Sequence, residues 1–122
     1  MSKRRSFALR EGTLLIFEGD AELGRLRPGE APVHAFAVDA PGGSVYVVTD
    51  PGSGSLRVAN LYKIDPAGRV LWRVEPPGSE PADAFVAISV TKDGIPIAAT
   101  WSGYKVMLDP DTGQATSLKF VK

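Results

Sequence analysis

The feature that most constrains this chain is the regular return of short β-type runs, each closed by turn-forming residues. Such runs, separated by Gly, Pro and Asp, are typical of antiparallel strands joined by tight turns. The runs lie at 13–17, 33–38, 45–49, 56–64, 70–74, 85–90, 95–100, 104–108 and 115–121. No stretch has the sustained apolar spacing of an α-helix, and 81–85 offers at most one turn. We therefore predict an all-β fold, an antiparallel meander of about eight to ten short strands.

Composition limits the classes of function. A chain of 122 residues has the usual length of one domain, so we expect 1–122 to be a single all-β domain with a flexible basic tail at 1–5. Fourteen basic residues balance fourteen acidic ones, so no net field favours nucleic acid. The absence of cysteine excludes disulfides, thiolate metal sites and a cysteine nucleophile.

The first residues resemble the charged head of a signal peptide, but the pattern does not continue. Lys3-Arg4-Arg5 is followed by 6–11, where Arg10 and Glu11 interrupt the apolar stretch. No apolar run approaches the roughly 20 residues that span a bilayer. We therefore expect a cytoplasmic protein without a membrane partner.

Two segments of the chain, approximately 34–75 and 84–121, repeat the same order of elements. Each has two strands, then a turn containing Asp-Pro and Gly, then a final strand; the turns lie at 65–68 and 109–113. Asp accepts backbone hydrogen bonds, Pro presets one dihedral angle and Gly adopts a positive one, so this combination favours a hairpin. The repeat predicts two similar sheets.

The segment 61–72, with Asp65, Gly68 and Trp72, resembles one blade unit of quinoprotein-type (PQQ-like) β-propellers. The segment 104–118 resembles the same unit but has Thr116-Ser117 in place of the tryptophan. The resemblance implies structural blades, with any cofactor bound around a complete ring. Propellers need about four or more blades, and this chain has room for about two. We therefore expect no cofactor and two blade-like sheets packed as a sandwich or small barrel; copies assembled into a ring remain an alternative.

Catalytic and metal-binding patterns are weak. His34 is the only histidine, and no Gly-x-Ser-x-Gly motif accompanies it, so we predict a strand residue rather than a catalytic base. Asp109 and Asp111 begin like a calcium loop but lack its later acids, so a turn is the better interpretation. The segment 52–55 lacks the rest of a phosphate-binding loop and is interpreted as a hairpin loop. We predict no catalytic residue and no metal.

The candidate binding residues are Trp101, Ser102, Tyr104 and Trp72. Ser102-Gly103 predicts a tight turn that holds two large aromatic residues beside it. Trp and Tyr are enriched at binding hot spots. The alternative, that Trp101 and Tyr104 cover the core as Trp72 does, is the interpretation that the sequence favours. Whether they face solvent stays open at this point.

These observations favour a non-enzymatic protein-interaction module, similar in size to small bacterial immunity or adaptor proteins that cap one partner. The partner is expected to be another protein, and a homo-oligomer stays open. The alternative is a module that binds a small, sugar-like ligand by stacking it on exposed aromatic residues.

Overall fold

Three antiparallel sheets follow one another along the chain. The structure, a computed structural model, describes residues 5–39, 43–52 and 57–121. The first sheet has the order β1-β2-β3, the middle sheet β4-β5-β6-β7 and the third sheet β11-β10-β9-β8. The strands are β1 (Arg5–Arg10), β2 (Thr13–Glu18), β3 (Ala21–Leu26), β4 (Val33–Asp39), β5 (Ser44–Thr49), β6 (Leu61–Ile64), β7 (Val70–Val74), β8 (Phe85–Val90), β9 (Pro96–Thr100), β10 (Tyr104–Leu108) and β11 (Ala115–Phe120).

The middle sheet is covered on both faces. Every residue of β5 and β6 is buried, as the valine-rich run 45–49 allows. One face packs on the first sheet through Leu14, and the other packs on the third sheet through Phe85. Val45, Val47, Tyr62 and Ile64 lie on the first of these faces, and Tyr46, Val48 and Leu61 on the second. The three sheets therefore form a stack with two hydrophobic cores.

The all-β prediction is confirmed, but the count of sheets differs. The described residues form eleven strands in three sheets, where the sequence predicted eight to ten strands in two sheets. The predicted pair of sheets is present, each repeat segment forming one, and they pack face to face. No sheet closes into a barrel within the described parts of the chain.

The two strands that the sequence did not reveal both belong to the first sheet. β1 follows the basic start of the chain, and β3 contains Gly24 and no β-branched residue. Both strands lie at an edge and are mostly exposed, so they lack the apolar runs by which buried strands are recognised. β6 is also shorter than the run 56–64.

The beginning of the chain is more ordered than the sequence predicts, because Arg5 lies in a strand. The sequence predicts a flexible tail at 1–5, but Arg5 is the first residue of β1. Its Nε lies 3.3 Å from the Glu18 carboxylate, and its guanidinium donates to the carbonyl of Pro66. Residues 1–4 of the expected tail lie outside the described residues. The segment 81–85 contains no helical turn; a short 3₁₀ turn occurs at Pro28–Glu30 instead.

Asn60 joins the middle sheet to the third sheet. Its side chain is fully buried, and its Nδ2 donates to the carbonyls of Thr49 (2.8 Å) and Phe85 (2.9 Å). Its Oδ1 accepts from the backbone N–H of Phe85 at 2.9 Å. The carboxamide thus satisfies both backbone groups of Phe85 where β8 begins, which water would otherwise have to do.

The other end of the third sheet is held by the carbonyl of Pro110. It accepts hydrogen bonds from Lys63 Nζ at 2.7 Å and from Trp72 Nε1 at 3.0 Å. Gly113, in the same turn, has a φ of +78° and lies so close to the middle sheet that an added Cβ would be 2.8 Å from Trp72 and Val74. Only glycine suits both conditions at this position.

Replacing Asn60 with Ala is expected to lower the free energy of unfolding by about 3 kcal/mol, because buried backbone groups of Thr49 and Phe85 lose their partners. Urea unfolding followed by circular dichroism measures the loss. The matched control is Gln114→Ala, which shortens an exposed amide side chain and should change stability by less than about 0.5 kcal/mol. An equal loss in both variants would contradict the role of Asn60.

Replacing Gly113 with Ala is expected to destabilise the protein by about 2–4 kcal/mol, since the change adds backbone strain and a steric overlap with Trp72. The control is Gly68→Ala. Gly68 has a φ of +91°, but an added Cβ would meet only Leu26 Cδ1 at 4.0 Å, so strain alone should cost about 1–2 kcal/mol. Thermal unfolding of both variants separates the two contributions, and equal losses would contradict the close contact.

Candidate functional site

The tip of the β9–β10 hairpin places Trp101 in solvent. The backbone N–H of Gly103 donates to the carbonyl of Thr100 at 3.1 Å, which closes a tight turn with Trp101 and Ser102 at its centre. This confirms the predicted turn at Ser102-Gly103. The Trp101 side chain is 70% exposed, the largest exposure among the large hydrophobic residues that the structure describes.

A buried carboxylate fixes this turn from below. Asp83 is 3% exposed, and its Oδ1 accepts from the backbone N–H of Ser102 at 3.0 Å and of Ala84 at 2.9 Å. Its Oδ2 accepts from Ser102 Oγ at 2.6 Å. Both carboxylate oxygens are therefore occupied by donors, which is the condition under which burial of a charge is tolerated.

Two further contacts restrict the turn. Thr100 Oγ1 accepts from the backbone N–H of Tyr104 at 3.0 Å and lies 3.0 Å from Ser102 Oγ. The backbone N–H of Trp101 donates to the carbonyl of Ala84 at 2.9 Å. The backbone at Trp101 is thus held on both sides, while its indole ring projects outward. Ser102 is predictable from the sequence as part of a tight turn. Asp83 is not, because an acidic residue in a segment between two strands forms no distinguishing pattern.

Other apolar side chains lie at the same end of the third sheet. Tyr104 is half-buried, and its ring centroid is 5.3 Å from that of Phe120. Phe120 is 57% exposed. The backbone N–H of Val121, itself exposed, donates to the carbonyl of Gly103. We call Trp101, Tyr104, Phe120 and Val121 the Trp101 corner. An exposed apolar group of this kind is typical of an interaction surface.

Trp72 lies away from this corner. Its half-buried ring packs between the middle and third sheets, with its centroid 5.8 Å from that of Tyr46. Its Nε1 is engaged by Pro110, which follows the end of β10 opposite to Trp101. The structure therefore brings Trp101, Ser102 and Tyr104 together and separates Trp72 from them.

The residues considered for catalysis or metal binding are dispersed. His34 is an exposed residue of β4. Asp109 Oδ1 accepts from the backbone N–H of Asp111 at 2.8 Å, and the Asp109 carbonyl accepts from the N–H of Gly113. Asp109 and Asp111 therefore belong to the predicted turn. Within 5–39, 43–52 and 57–121, no group of three or more His, Asp or Glu side chains is placed to hold a metal ion. In the segment 52–55, only Gly52 is described; 53–55 lie outside the described residues.

Among the described titratable groups, Tyr46 has the pKa that departs furthest from its ordinary value. Burial raises the pKa of its hydroxyl to about 12, and the charges of Asp39 and Asp111 add to the effect. The phenol therefore stays protonated at neutral pH and does not act as a base there. It is a neutral side chain of the core between the middle and third sheets.

No helix in the described part of the chain is long and apolar enough to cross a bilayer.

Three solved structures share this arrangement of sheets. BamB from Moraxella catarrhalis matches with a TM-score of 0.67 and 18% identity, covering 100% of this chain and 38% of that one. A protein of unknown function from Bacteroides caccae gives 0.64 and 13%, covering 97% and 40%. The C-terminal WD40 domain of Sif2 gives 0.62 and 15%, covering 99% and 34%.

These matches confirm that the sheets are propeller-blade-like, because WD40 domains are β-propellers. The chain spans two fifths or less of the length of each of these structures. No curated protein matches the sequence. A family model described as a domain of unknown function, DUF7957, matches residues 35–120, which hold the third sheet and nearly all of the middle one. Since this match covers more than half of its length, the chain belongs to the DUF7957 family.

Proposed function

We propose that this chain is a non-enzymatic protein-interaction module that binds its partner through the Trp101 corner. The observation that carries the proposal is the 70% exposure of Trp101 on a turn that hydrogen bonds hold in place. Tryptophan is enriched among the residues that contribute most to protein–protein affinity. Phe120 and Val121 add exposed apolar surface at the same end of the third sheet.

The rigidity of the turn favours binding. Association loses free energy when loops and side chains become ordered at an interface. The turn is already ordered by Asp83, Thr100 and Ala84 through the contacts described above. Only the indole side chain itself remains to be immobilised, so most of the area that it buries contributes to affinity.

The same geometry favours a protein over a small ligand. Small-molecule sites are concave and present polar groups that are available to the ligand. Here Trp101 projects from a hairpin tip, and both oxygens of Asp83 already accept hydrogen bonds from the protein. A sugar-like ligand stacked on Trp101 stays the alternative that the experiments below distinguish.

We propose that the chain acts as an adaptor or immunity protein that caps one partner in the bacterial cytoplasm. Matches to solved structures from two bacteria support the bacterial part of this proposal, at the level of the fold alone. The proposal includes no cofactor and no catalytic step.

Replacing Trp101 with Ala is expected to weaken the complex about 30-fold, equivalent to about 2 kcal/mol, without changing the midpoint of urea unfolding. The tagged chain is used to isolate its partner from a lysate of the source organism, and calorimetry then gives the dissociation constants. Leu71→Ala is the control because Leu71 is 52% exposed in β7, on another sheet. Equal affinities for the two variants would contradict the proposal.

Fluorescence of Trp101 reports the contact directly. The chain has two tryptophans, so Trp72→Phe leaves Trp101 as the single reporter. Acrylamide is expected to quench its emission strongly in the free protein and weakly in the complex, because the partner covers the ring. Protection by added monosaccharides, in the absence of any protein, would instead support the small-ligand alternative.

A further inference from the structure

The outer face of the third sheet has an unusual distribution of charge. Its four strands contain two charged residues, Lys105 and Lys119, and no acid. The two lysines are directly opposite each other in the pairing of β10 with β11. Like charges at such positions repel and destabilise a sheet. Neither ammonium forms an ion pair with a carboxylate in the described part of the chain.

The register places both lysines on the side facing away from the middle sheet. Val106 and Ala98 belong to the core cluster, so by strand alternation Lys105 and its partner Ala99 face the opposite way. Two cross-strand rows make up this outer face. They are Ala87, Ala99, Lys105 and Lys119, and Ser89, Ile97, Met107 and Ser117.

The centre of the outer face is apolar. Ile97, Ala99 and Met107 lie side by side and are half-buried, although no described sheet covers them. The middle sheet packs on its two neighbours through apolar faces of the same kind. The outer face of the third sheet is therefore suited to one more packing partner, whose facing surface combines apolar and negatively charged groups.

A second copy of this chain does not fit that description. In a continued stack, the first sheet of another copy would meet the third sheet through its own outer face. That face carries a groove of about 120 Å³ lined by Arg10, Arg25 and Arg27 around the buried Leu15. Glu11 also lines this groove, and Glu22 binds Arg25 at 2.8 Å. Three arginines therefore stand against two acids, and the face keeps a net positive charge. Contact between the two outer faces would therefore bring like charges together.

We propose that the outer face of the third sheet binds an acidic β-strand surface of a different protein. A carboxylate placed between Lys105 and Lys119 relieves their repulsion and gains charge-assisted hydrogen bonds, while apolar side chains of the partner cover Ile97, Ala99 and Met107. This surface is separate from the Trp101 corner, and the inference does not depend on binding at that corner.

The first test uses a short capped peptide that alternates Glu with Val or Thr, titrated into isotope-labelled protein. We expect saturable shifts of the backbone amides of Ala99, Lys105, Met107 and Lys119, and an affinity that falls as salt is added. The same peptide with Lys at every Glu position should not bind. Binding of both peptides, or shifts confined to other surfaces, would overturn the proposal, as would tighter binding of oligothymidylate at this face.

The decisive variant is Lys119→Glu, which places opposite charges across from each other in β10 and β11. We expect it to raise the midpoint of urea unfolding and to weaken the acidic peptide about tenfold or more. A variant that folds more stably and binds less cannot owe its loss of binding to misfolding. An unchanged midpoint or an unchanged affinity would each overturn the proposal.

Two controls separate this surface from the rest of the protein. Lys92→Glu makes the same charge change in the exposed β8–β9 turn and should alter the peptide's affinity less than about twofold. Trp101→Ala should leave that affinity unchanged, so failure at the Trp101 corner and failure at the outer face give different results. Light scattering should show that the wild-type chain does not form rings through this face; ring formation that Lys119→Glu abolishes would overturn the choice of partner.

Discussion

The carboxamide of Asn60 is the contact on which the joining of the middle and third sheets depends. A β-strand that begins beside another sheet leaves backbone groups unpaired, and burial makes such groups costly. The Asn60 side chain donates to the carbonyl of Phe85 and accepts from its N–H, as the backbone of a neighbouring strand would. Because Phe85 then enters the core beside Tyr46 and Leu61, a polar pairing fixes the position of an apolar interface.

The parts of the fold that can be predicted are those in which local sequence and burial agree. The run 45–49 consists mostly of valine, which suits β5, a strand that is buried on both faces. The Asp-Pro turns are recognisable because Asp accepts backbone hydrogen bonds within the turn, as Asp65 does from Ala67 and Arg69. In β1 and β3, the local sequence has no apolar run that would indicate a strand. Their strand character comes from pairing with β2, a relation between distant residues that no local pattern expresses.

In the candidate site, too, some residues can be predicted from local sequence and others cannot. Trp101, Ser102 and Tyr104 could be selected because a short turn between strands brings neighbours in sequence together. Asp83 could not, since its role arises from a contact across the sheet with Ser102. Trp72 has the same residue type as Trp101, yet one is engaged between two sheets and the other is exposed. Composition cannot distinguish them, because burial is decided by which sheets stack.

The stacking order also has a consequence for how the chain folds. Each sheet is a meander of consecutive strands, so most strand pairings join segments close in sequence and require only short loops to close. The middle sheet alone gains a hydrophobic interface on both sides, whereas each outer sheet gains one. The free energy of local opening is therefore graded along the chain, with the middle sheet as the last cooperative unit to unfold and the two outer sheets able to exchange with solvent before it.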